Sequence, residues 1–187
     1  MTEDKIPIIV VYSIEDWRKW LEENHLNEKK VGLISYKKHT GKKSISHREA
    51  MEEAICFGWI DTTLNRLDDE RYVRYFVRRG DKANWSKNTL GYGRALLASG
   101  KMSEHGILRF KQGLKKKPHD YGIPKNPKIP LELKRELEKD KNKKAKEKFK
   151  LISPSTKKMI YRTILRARTT ETREKRINKL IRDQTHQ

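Results

Sequence analysis

The sequence predicts an α+β fold, an N-terminal mixed sheet with helices followed by a small basic all-helical C-terminal module. Three observations predict it. Over the first 110 residues, short runs rich in β-branched and aromatic residues alternate with segments of helical period. Past residue 130 the apolar residues recur at helical spacing. The charge divides along the chain as well: residues 1–110 hold 20 Lys and Arg against 16 Asp and Glu, and residues 111–187 hold 25 against 9. The expected organisation is an α+β domain over 1–113, a Pro/Lys-rich linker over 114–130 and a basic helical module over 131–187.

The elements follow in order. Ile8 to Tyr12 reads as a buried strand. Ser13, with Asp16 three residues on, caps a helix whose Trp17, Trp20 and Leu21 face the core. "VGLISYKK" from Val31 is a second strand, and Ser46 with Glu49 forms a capping box for a helix that Gly58 ends in the left-handed conformation. "WIDTTLNRL" and "RYVRYFVRR", separated by "DDE", read as a hairpin. Ser86, or Asn84 before it, caps a helix over 87–98, and Ser103 caps a short one before Gly113. The stretch 131–150 is helix-forming with sparse apolar residues, so it predicts exposed helices of modest burial. Ser153-Pro154 starts a further helix, and Thr169 or Thr170 starts the last.

Several chemistries are excluded or left without a signature. One cysteine, Cys56, rules out an internal disulfide and a cysteine-rich zinc site, and its apolar setting makes it a small buried hydrophobe. Six single histidines, none paired at i, i+4 on a helix, give no metal site, and no cofactor is implied. Neither a nucleophile triad order nor a glycine-rich phosphate loop is present. The longest apolar run, "IPIIVVY", is too short to span a bilayer, so the expectation is a cytoplasmic protein without integral membrane association.

The stretches "REAMEEAICFGWIDTTLNRLDDERYVRYFVRR", "NWSKN", "LLASGKMSEHG" and "LISPSTKKMIYRTILRARTTETREKRINKLI" resemble the bacteriocin-protection, YdeI or OmpD-associated family, across about residues 13–113 and 147–183. Val77-Arg78 stands where that family usually has Pro-Arg, and "GLKKKPHDYG" replaces a tryptophan-bearing segment. The resemblance implies protection against toxic peptides and names no reaction.

Two candidate sites follow. Lys158, Arg162, Arg166 and Arg168 recur along one helix, and Arg173 and Arg176 add to them on the next, a pattern suited to phosphates. The leading expectation is therefore a non-enzymatic protein that binds an anionic partner, nucleic acid or another polyanion. The alternative is a small-molecule site or enzyme around Trp59, Asp61, Arg66, Arg78, Trp85, Ser86 and Asn88, where Asp61 shares a strand face with Trp59. A third reading is direct association with a toxin or envelope protein as partner.

Overall fold

Local chemistry fixes the helix starts. In the computed structural model, which describes residues 6–186, the Ser13 hydroxyl accepts from the Asp16 amide and the Asp16 carboxylate accepts from the Ser13 amide. This box opens α1 (Ile14–Asn24). Ser46 and Glu49 repeat the arrangement at α2 (His47–Cys56), Ser86 caps α3 (Lys87–Ala98) and Ser103 caps α4 (Glu104–Leu114). Gly58, at φ 75°, releases the chain from α2 into the sheet.

The sheet has four strands in the order β1-β2-β4-β3: β1 (Ile8–Val10), β2 (Lys30–Tyr36), β3 (Trp59–Arg66) and β4 (Arg71–Arg78). β1 runs parallel to β2, and the other pairings are antiparallel, so the sheet is mixed. The register places Val31, Leu33, Phe76 and Trp59 on one face, where they join Trp17, Leu21, Ala54, Ile55, Leu90 and Phe110 in the main core. The first strand departs from its expectation. It is a three-residue edge strand, and Ile8 and Val10 are exposed. Its apolar character is equally high on both sides, and only the single-sided helix layer decides which side is covered.

α4 meets the end of α2 at very short range. The Ser103 amide and hydroxyl both donate to the Cys56 carbonyl at 3.0 and 3.1 Å, and Gly106 lies flat against the same peptide unit. Burial pushes the Cys56 thiol up to about 11, so it stays protonated at neutral pH. A Cβ at Gly58 would lie 2.9 Å from both His105 Cδ2 and Arg109 Cγ, which shows how closely α4 covers this turn.

His105 in that contact is partly buried and sits beside cations. Burial holds its pKa below the ordinary 6.5, and Arg109, His25 and Arg78 act in the same direction, opposed by Asp81. The unfolded chain therefore takes up this proton first as pH falls. The stabilising contribution is whole above pH 6.5 and is lost as the pH drops toward the folded value. Urea unfolding followed by tryptophan fluorescence should show stability rising with pH through this window, and His105→Gln should flatten that rise. An unchanged slope in the variant would assign the dependence to another group.

The chain forms two units, up to His119 and from Asp120 onward. Residues 116–119 belong with the first: Lys116 Nζ donates to the Asp81 carbonyl at 2.7 Å and the His119 amide to the Trp85 carbonyl at 3.0 Å. The second unit contains α5 (Leu131–Leu137), α6 (Lys143–Leu151), α7 (Pro154–Leu165) and α8 (Thr170–His186). Its core is Leu133, Leu137, Ala145, Phe149, Ile164, Ile177 and Ile181. The modest burial expected over 131–150 is thus corrected. The apolar residues there are few, yet they supply four of the seven core residues, with Leu133 fully buried. No helix among the described residues is long and apolar enough to cross a membrane.

Candidate anion-binding site

The Ser153 hydroxyl accepts from the Thr156 amide at 3.2 Å and Pro154 occupies the first helical position, so α7 starts where its sequence places it. Ile164 turns into the core of the second unit. The opposite stripe, at spacings of three and four, carries Ser155, Lys158, Met159, Arg162 and Arg166, which line an open groove of about 270 Å³. The lining contains no carboxylate, and the exposed Met159 is its apolar member.

The six expected cations, four along one helix and two on the next, divide by what they touch. Lys158, Arg166 and Arg168 make no side-chain hydrogen bond or ion pair among the described residues, and both arginines are exposed. Arg162 is anchored at the edge of the groove: its Nη1 donates to the Pro124 carbonyl at 2.9 Å, and its Nη2 to Asp120 Oδ2 at 3.3 Å. Arg173 donates through Nε to the Ala167 carbonyl at 3.2 Å and pairs through Nη1 with Glu132 at 2.9 Å. Arg176 donates to the Thr163 carbonyl. Arg176 thereby satisfies a carbonyl in the last turn of α7 and Arg173 one just past its end, and they hold α8 against it. Helical spacing in the sequence identified the cations but could not distinguish those aimed at solvent from those aimed at a helix end.

The alternative set in the first unit does not gather on one cleft. Trp59 is fully buried and donates its indole N–H to the His25 carbonyl at 3.2 Å. Trp85 is also core, with Arg79 stacked 3.8 Å from its ring and Phe110 edge-on to it. Burial lowers Arg79 to about 10, offset in part by the charge of Asp61, and its guanidinium donates to the Trp59 and Asn84 carbonyls. Arg78 bonds the Leu26 carbonyl, Arg66 turns to Asp69 at the hairpin tip, Ser86 is committed to capping α3, and Asn88 is exposed on that helix.

Asp61 has two side-chain partners that the sequence did not indicate. Its Oδ2 lies 2.9 Å from His47 Nε2 and 3.3 Å from Arg74 Nη1. A bulge between Asp61 and Leu64 shifts the register, which brings Arg74 alongside. His47 comes from the first turn of α2, a neighbour that only the tertiary fold supplies. The carboxylate thus ties a helix start to two strands. A second groove, of about 380 Å³, lies at the hairpin tip and is lined by Tyr36, Lys42, Asp68, Asp69, Glu70 and Arg71; Lys42 pairs with Glu70, Arg71 with Asp68, and Asp69 with Arg66 outside the lining.

Two family models match the chain. Residues 9–109 match a domain of unknown function, DUF8412, and residues 126–183 match the family described as bacteriocin-protection, YdeI or OmpD-associated. The "GWID" and "NWSKN" stretches fall in the first match, and "LISPSTKKMIYRTILRARTTETREKRINKLI" falls in the second. Comparison with curated proteins and with solved structures gives no match. The chain belongs to the family defined by DUF8412, and residues 126–183 of its second unit match the bacteriocin-protection, YdeI or OmpD-associated domain.

Proposed function

We propose that the second unit binds a polyanion, with nucleic acid as the most suitable class, through the α7 groove. The observation that carries this reading is the set of side chains lining the groove. Three cations lie on one helical stripe; Arg162 is paired with Asp120, and Lys158 and Arg166 are unpaired. Arg168, just beyond the helix, extends the same unpaired charge. Phosphates spaced along a backbone suit such a row, because each contact releases condensed counterions. No Asn or Gln amide lines the groove, and a row of cations along one helix suits the phosphate backbone. The surrounding unit adds to the attraction, with 21 Lys and Arg against nine Asp and Glu from Asp120 to Gln187. The role is non-enzymatic and cytoplasmic, and it serves the bacteriocin protection that describes the second unit's family.

Fluorescence anisotropy with a labelled 20-base-pair duplex tests it. Combined Lys158→Glu, Arg166→Glu and Arg168→Glu should weaken binding at low salt by about tenfold or more, the scale expected when several phosphate contacts are reversed. The far-UV CD spectrum should stay unchanged, because none of the three holds the fold. Equal affinity of variant and wild type would overturn the assignment to α7.

A further inference from the structure

The first unit has a sheet face that its helices leave uncovered. Strand register assigns it: Ile8 pairs with Gly32 and Gly32 with Tyr75, Val10 with Ile34 and Ile34 with Val73, and Lys30 with Val77. These residues alternate with Val31, Leu33 and Phe76, which join the helices in the main core. On the uncovered side Ile8 is 49% and Val10 40% exposed, and Tyr75 and Ile34 are half-buried. Val73 is buried there without belonging to the main core, because its own neighbours on this face cover it. Gly32 makes that packing feasible: a Cβ would fall 2.9 Å from Val73 Cγ2 and 3.2 Å from Tyr75 Cε1.

Charge complementarity identifies what such a face accepts. Across the four paired strands it carries no carboxylate and two cations, Lys30 and Arg71, of which Arg71 is paired with Asp68 at the hairpin tip. Lys30 Nζ lies 4.5 Å from the centroid of the Tyr75 ring, and Lys42 Nζ lies 5.2 Å from that of Tyr36, four residues further along β2 from Gly32. Lys42 also pairs with Glu70 at the hairpin tip, so Lys30 is the cation free to change partners. An apolar floor with an aromatic ring and a movable ammonium above it suits an unpaired base and its phosphate: the base stacks on the tyrosine, and the lysine exchanges the ring for the backbone.

We infer that the uncovered face of the sheet, centred on Tyr75 and Lys30, binds single-stranded nucleic acid. This rests on the polyanion reading for the class of partner but on a different unit and different residues. The test uses the full chain, a labelled 20-mer of deoxythymidine and a duplex of equal length. Tyr75→Ala and, separately, Lys30→Glu should weaken single-strand binding about tenfold, the scale of one lost base stack, while duplex binding holds. Tyr75→Phe, which keeps the ring, should retain wild-type single-strand affinity. Charge reversal on α7 should instead reduce duplex binding, so the two readings fail separately.

Unchanged single-strand affinity in both Tyr75→Ala and Lys30→Glu would overturn the inference, as would failure of the wild type to bind the 20-mer at 20 mM salt. So would sedimentation showing a dimer that Ile8→Lys converts to monomer without loss of oligonucleotide binding, because the face would then join two copies.

Discussion

Gly106→Ala should cost about 2 to 3 kcal/mol of the first unit's stability. The added Cβ would lie inside the contact distance of the Cys56 carbonyl oxygen and 2.7 Å from its carbon. Both are backbone atoms, so neither can rotate aside, and the response is a shift of α4 away from the α2–β3 junction. Overpacking of this kind costs about 3 kcal/mol at the upper end of its usual range. Alanine recovers up to about 1 kcal/mol through helix propensity, which is too little to reverse the sign. The shift would also strain both Ser103 bonds to the Cys56 carbonyl. Gly91 on α3 supplies the control, since nothing lies within 4 Å of its Cβ position. Gly91→Ala should stabilise by about 0.5 to 1 kcal/mol. Tryptophan fluorescence in urea is the appropriate measurement, because all four tryptophans lie in the first unit. Equal midpoints for Gly106→Ala and wild type would show that α4 does not dock as described.

Leu133→Ala should cost about 3 kcal/mol, within the range for a buried leucine whose cavity cannot collapse fully. Leu133 is fully buried in the seven-residue core of the second unit, and small cores have little surplus stability. Loss of the ellipticity at 222 nm should therefore move to lower temperature. Leu131→Ala should move it little, because Leu131 is 57% exposed two residues earlier on the same helix. The reverse order of effects would mean that α5 packs through its other side.

These variants also mark how much could be read from the chain. Helix starts were legible because a cap needs only its own next three residues: Ser13, Ser46, Ser86, Ser103 and Ser153 all cap as expected. Gly58 was legible for the same local reason. The exposure of β1 was not, because its apolar content suits either side of a sheet and the helix layer covers only one. In the second unit, few apolar residues suggested weak burial, but burial depends on where those few converge. At the candidate site, spacing found the cations of α7 and could not foresee that Arg173 and Arg176 would be spent on helix-end carbonyls. The partners of Asp61 were hidden for a like reason, since His47 reaches it from a separate element.

The salt dependence of duplex binding is the decisive measurement for α7. Each phosphate neutralised on a duplex contributes about −0.9 to the slope of log K against log salt. If Lys158, Arg166 and Arg168 each hold one phosphate, their combined reversal should make the slope shallower by about 2 to 3, as well as lowering affinity. Identical slopes for variant and wild type, or no duplex binding by the wild type at 20 mM salt, would contradict polyanion binding by α7.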